Sequence, residues 1–186
     1  MNKIILGLML TLLAFLISCG DSSTNNNDDV IETVKIGNQV WMKKNLNTIV
    51  YRNGDTIRQA AHVADWADAM TKKEGAWCYY ENHTPFGTIY GKLYNWYAVT
   101  DPRGLAPEGF HIPQKREWYE LIDTLGSKEI AGGKLKETGL AHWSSPNEGA
   151  TNSSGFTALP GGFKNDRNGF TKINYYGLWW STTVED

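Results

Sequence analysis

Apolar residues follow two different spacings along this chain, and the change from one to the other marks most of its elements. Thr33-Val34-Lys35-Ile36 and Gln39-Val40-Trp41-Met42 alternate on either side of Gly37-Asn38, which predicts a β-hairpin. Asn53-Gly54 separates Ile49-Val50-Tyr51 from Thr56-Ile57 in the same way and predicts a second turn. Residues 60–73 read as a helix closed by Thr71-Lys72-Lys73-Glu74-Gly75, and Trp77-Cys78-Tyr79-Tyr80 has strand composition with Cys78 facing inward. Leu93 to Val99 is too short for periodicity to decide between helix and strand. Between Lys115 and Leu125 the spacing becomes helical. Trp118, Leu121, Ile122 and Leu125 fall at i, i+3, i+4 and i+7, between Pro113 and Gly126. Glu117 sits where the acidic half of a capping box belongs, but the cap position holds Gln114 rather than Ser or Thr.

After Gly126 the chain is punctuated by glycine. Residues 130–137 could add a helical turn or two, and Phe156–Leu159, the Phe163 region and Leu178–Thr183 read as short strands. Lys164-Asn165-Asp166-Arg167-Asn168-Gly169 is a turn signal. With no strand–helix–strand repeat, the class is α+β.

The first residues have a different pattern. Lys3 precedes an apolar run, Ile4 to Ile17, broken only by Gly7 and Thr11. The run falls short of the roughly 20 apolar residues that span a bilayer and suits a signal peptide. It ends Leu16-Ile17-Ser18-Cys19-Gly20, which resembles a bacterial lipobox. The resemblance implies cleavage between Ser18 and Cys19 and diacylglyceryl attachment to the Cys19 sulfur. Two or three acyl chains anchor far more firmly than one, at about 0.8 kcal/mol per buried methylene. Gly20 to Asp29 lacks any aromatic or aliphatic side chain and reads as a solvated tether. The expected organisation is therefore a signal peptide at 1–18, a lipidated cysteine and tether at 19–29, and one domain at 30–186. The expected place is the cell envelope, lipid-anchored at the outer membrane.

Composition narrows the partners. A net charge of −2 carries no polybasic signal, which argues against nucleic acid. Eight Trp, nine Tyr and 19 Gly suit a loop-rich fold with large aromatic contacts. Of the two cysteines, Cys19 is assigned to lipid, which leaves Cys78 unpaired.

Five blocks in order, VKIGNQVWMKKNLNT (34–48), WCYYEN (77–82), YGKLYNWYAVTDPRGLAPEGFHIPQKREWYEL (90–121), GGKLKETGLAHWSSPNEGATNSSGFTALPGGF (132–163) and YYGLWWSTT (175–183), resemble the Fibrobacter succinogenes major paralogous domain. That resemblance implies a C-type-lectin-like scaffold, with short helices flanking a twisted antiparallel sheet and long loops. It implies no reaction. The chain departs from the family pattern at Gln114-Lys115-Arg116, where Thr-Asp-Ala is usual, and at Ala106, where many members carry Cys. It also stops at Asp186, where members continue into closing strands. The resemblance therefore implies a truncated domain with no family disulfide and an exposed sheet edge or core face.

Candidate chemistry is sparse. His62, His83, His111 and His142 show no metal-ligand spacing, and no nucleophile motif occurs. No enzyme activity, cofactor or metal is expected. The Pro-x-x-x-Glu-Trp helix start is similar to that of formylglycine-generating enzymes, but their copper-binding cysteine pair is missing. Ser145-Pro146-Asn147-Glu148 resembles the calcium loop of sugar-binding lectins, with Ser145 in place of its acidic member. Trp179-Trp180-Ser181 stands where further oxygen ligands would be wanted, so a structural turn is the simpler reading. Trp118 and the Trp179-Trp180 pair are expected in the core, and Trp143, in a polar loop, as an exposed contact. Trp143, Asn147 and Glu148 are thus the candidate ligand-binding residues. The leading expectation is a non-enzymatic binding or adhesion domain for a glycan or surface protein. The alternatives are a carbohydrate-binding accessory module of a polysaccharide-degrading system and a truncated paralogue with little function.

Overall fold

The computed structural model describes residues 31–165 and 169–184. The signal peptide, Ser18, Cys19 and the tether lie outside the described residues, as do Asp166, Arg167 and Asn168 in the turn signal. The domain mixes short helices with three small sheets, so it is α+β.

The first hairpin forms as its alternation predicts. β1 (Thr33–Ile36) pairs antiparallel with β2 (Gln39–Met42), Ile36 opposite Gln39, around Gly37 at φ +58°. A positive φ is a conformation glycine adopts without strain. The Asn53-Gly54 turn closes as Tyr51 donates to the Asp55 carbonyl. A three-stranded sheet follows, in the order β3 (Arg58–Gln59), β4 (Ala76–Cys78), β5 (Leu93–Tyr94); β3–β4 is parallel and β4–β5 antiparallel. Helix α1 (Val63–Thr71) connects β3 to β4, and α2 (Thr84–Tyr90) connects β4 to β5.

The ambiguous stretch 93–99 is both a strand and a helix. Asn95 divides β5 from α3 (Trp96–Val99): its Oδ1 accepts the Ala98 amide and the Ala76 amide, each at 2.9 Å, and its Nδ2 donates to the Glu74 carbonyl at 2.8 Å. With all three bonds made, the side chain is buried without an unmet polar group.

α4 (Lys115–Thr124) turns Leu121 fully inward, with Trp118 and Ile122 half-buried beside it. Its start is held despite Gln114. The Glu117 carboxylate accepts the Gln114 amide at 2.8 Å, and the Lys115 amide donates to Thr183 Oγ1 at 2.9 Å. α5 (Lys128–Leu135) begins two residues before the expected 130 and ends short of 137. β6 (Gly161–Lys164) and β7 (Phe170–Ile173) form the last hairpin.

Two expected strands are not strands. Phe156–Leu159 makes one isolated bridge, Lys136 to Ala158, and 178–183 joins no ladder. The core has two main parts. One packs Tyr51, Ile57, Trp77, Tyr94, Val99 and Leu105 around the three-stranded sheet. The other packs Ile36, Leu121, Leu125, Ala131, Phe156 and Ala158 between the first hairpin and helices α4 and α5. Cys78 is buried and unpaired, and burial pushes its thiol pKa up to about 12. It is protonated and inert at neutral pH.

Candidate functional site

A groove of roughly 1340 Å³ is walled by tryptophan. β2 supplies Trp41, α4 supplies Trp118, α3 supplies Trp96, and the 178–183 segment supplies Trp179 and Trp180. Their rings form two sets. Trp41 lies 4.8 Å from Trp118, Trp118 lies 6.4 Å from Trp179, and Phe156 meets Trp179 edge-on at 6.0 Å. Trp180 lies 5.9 Å from Trp96. These separations fall within the range where aromatic pairs attract.

Four indole N–H groups are fixed from behind. Trp179 donates to Asn45 Oδ1 at 2.9 Å and Trp180 to the Tyr94 carbonyl at 2.9 Å. Trp118 donates to the Trp180 carbonyl at 3.1 Å, and Trp41 to Gln39 Oε1 at 3.2 Å. With their polar edges engaged, these side chains present ring faces rather than donors. Trp179 and Trp180 remain 38% and 45% exposed, which corrects their expected place in the core. They are anchored at one edge, and no second layer covers them.

Trp143 is the reverse. It is only 9% exposed, its Nε1 donates to the Ala158 carbonyl at 3.0 Å, and Lys136 Nζ lies 5.1 Å from its ring. The Ser- and Gly-rich composition around it suggested exposure, but the loop folds back over the bridge at Ala158. Asn147 follows a cis Ser145–Pro146 bond at φ +42°. Its Nδ2 donates to the carbonyls of Glu137 at 2.9 Å and Gly139 at 2.8 Å, so it staples the turn. Glu148 is exposed, and its backbone carbonyl accepts Lys136 Nζ at 2.7 Å. The structure places these three residues in one loop and assembles no ligand set from them. Among the described residues no group of three or more His, Cys, Asp or Glu could hold a metal ion.

Two histidines are paired with carboxylates. His111 Nε2 is 2.8 Å from Glu117 Oε1, and His142 Nδ1 is 2.8 Å from Glu137 Oε2. Burial works to raise the Glu117 pKa, but the Gln114 amide and His111 outweigh it and hold it below the usual carboxylate range. Lys92, nearly buried, stacks 4.7 Å from the Trp77 ring and 5.1 Å from Tyr79, and its Nζ donates to the Asn47 carbonyl at 2.6 Å. Burial lowers its pKa.

Sequence reasoning missed the groove because its walls come from four separated segments. The adjacent Trp179-Trp180 pair was the available signal, since two of the largest side chains side by side are hard to bury together.

The family model for the Fibrobacter succinogenes major domain matches residues 34–186. No curated protein and no solved structure matches the chain.

Proposed function

The chain belongs to the Fibrobacter succinogenes major domain family, and from that premise we propose that it is a lipid-anchored envelope protein with a non-enzymatic binding or adhesion domain. The observation that carries the binding reading is the tryptophan-walled groove. Its rings are pre-set by packing and by hydrogen bonds at their edges, so a partner need not order them on docking, which lowers the entropic cost of association. The anchoring reading is supported by the Leu16-Ile17-Ser18-Cys19 sequence and the polar tether after it.

The two parts are tested separately. Intact mass measurement of protein purified from membranes should find Met1 to Ser18 removed and acyl chains on Cys19, and Cys19→Ala should release the protein from membranes. Retention of Met1 without lipid would sink the anchoring. For the domain, Trp179→Ala should abolish adhesion of cells displaying the full chain. Adhesion unchanged by that substitution would remove the groove from the function.

A second reading, a carbohydrate-binding accessory module, is favoured by the exposed faces of Trp179 and Trp180, since aromatic faces stack on sugar rings. Glycan-array binding that is lost in Trp179→Ala would select it.

A further inference from the structure

Charge along the groove is not balanced. Four lysines and three glutamates line it, and each glutamate already has a partner. Glu32 pairs with Lys44 at 2.6 Å, Glu117 with His111 at 2.8 Å and Glu137 with His142 at 2.8 Å. Lys43, Lys92 and Lys164 have no carboxylate in ion-pair range among the described residues. Lys92 is the telling one, because it is only 9% exposed. Gly91, at φ +74°, lets the chain close on residues 45–47, since a Cβ there would lie 2.7 Å from the Leu46 carbonyl. The Lys92 amide donates to that carbonyl at 3.1 Å, and its Nζ donates to the Asn47 carbonyl at 2.6 Å and to Asn47 Oδ1 at 2.5 Å. Asn47 thus takes two of the three ammonium protons. Burying an ammonium without a counter-charge is costly even when neutral oxygens hold it, and an anion arriving beside it offsets that cost. The same segment holds the aromatic wall, where Asn45 Oδ1 accepts the Trp179 indole. A cation and a flat ring face are therefore positioned by three consecutive residues. The rings decide what carries the anion. Fixed indole faces suit the flat C–H faces of sugar rings better than a pliant acyl chain. At roughly 1340 Å³ the groove exceeds the usual small-molecule range of about 300–1,000 Å³ and has room for several linked rings. Asn38 and Thr88 add polar side chains to the lining for hydroxyl groups.

Resting on the binding reading above, in its carbohydrate form, we propose that the groove binds an acidic oligosaccharide, a chain of sugars that bear carboxylates. One carboxylate accepts the remaining proton of Lys92 Nζ, and adjoining rings lie on the exposed faces of Trp179 and Trp180. Lys43 and Lys164 add positive charge to the same lining.

The test uses the full-length chain in detergent with oligomers of galacturonate, of mannuronate and of hyaluronan, each beside its carboxyl-reduced neutral form. Octanoate is the non-sugar anion. At least one acidic oligomer should bind, and its reduced form should bind at least about tenfold more weakly. Lys92→Gln should erase that preference, while Trp179→Ala should weaken both forms about tenfold. The acidic and reduced ligands are compared on the unaltered chain, so that arm stands even if Lys92→Gln does not fold. Equal binding of the two forms overturns the anion assignment and leaves a neutral glycan. A preference for the acidic form that persists in folded Lys92→Gln overturns the role of Lys92. Binding of octanoate but of no oligomer overturns the sugar assignment. Failure of every probe overturns the proposal. Cells displaying the chain that then still adhere through Trp179 keep the binding reading, and adhesion indifferent to Trp179 removes both.

Discussion

Trp143 and the Trp179–Trp180 pair occupy opposite situations from those their neighbours in sequence suggest. Trp143 lies among serine, asparagine and glycine yet is buried, because a polar loop can fold back and give its indole the Ala158 carbonyl. Trp179 and Trp180 lie among apolar residues yet stay exposed, because 178–183 joins no sheet. All three indoles are hydrogen-bonded. What separates them is a second layer of packing, and local composition carries no information about that layer.

The difference should be visible in stability. Trp143→Ala removes a buried ring and one of the two donors to the Ala158 carbonyl, which keeps the Glu137 amide, so we expect a loss of about 3–5 kcal/mol in denaturant unfolding. A loss under about 1 kcal/mol would show that Trp143 is as loosely held as the exposed pair. Gly75→Ala probes the packed region from another side. A Cβ there would lie 1.9 Å from the Tyr51 hydroxyl and 3.0 Å from Ala98 Cα, so it should cost about 1–3 kcal/mol. Trp179→Ala removes a ring that is already partly in water and should cost no more than about 1 kcal/mol. A larger loss would make that ring part of the core.

Two pH limits sharpen the same contrast. In the packed region, burial and the nearby Asp101 charge push the Tyr51 hydroxyl up to about 12. The unfolded chain releases that proton near pH 10 and the folded one holds it, so stability should fall as pH rises from about 10 toward 12. Tyr51→Phe should flatten that slope in alkaline unfolding curves. At the start of α4, where the exposed segment docks, the lowered Glu117 pKa works in the opposite direction. Its contribution is present above the ordinary carboxylate pKa near about 4.3 and is lost as pH falls through the folded value. Glu117→Gln should reduce that acid dependence, followed by the fluorescence of Trp118 and Trp180. This effect should be the smallest of the set.

Much of the fold could be read from local signals. Gly37-Asn38 and Asn53-Gly54 marked their turns because backbone conformation there is a property of the residues themselves. The stripe of Trp118, Leu121, Ile122 and Leu125 marked α4 because one face of a helix repeats at a fixed period. The division at Asn95 was not legible, since it depends on Ala76 and Glu74, which lie far off in sequence. The site was less legible still. Asn147 is a structural staple because its partners are carbonyls brought round by the loop, and the groove exists only once β2, α3, α4 and the 178–183 segment meet.

The Asn95 side chain sets a narrow tolerance at the centre of the domain. Exchanging its amide nitrogen for oxygen would barely alter its shape, yet it would turn a donor toward the Glu74 carbonyl into a negative charge facing it. Slow chemical ageing of asparagine to aspartate makes that exchange with no change in the gene. The working lifetime of the folded molecule is therefore tied to how well this buried amide is kept from water.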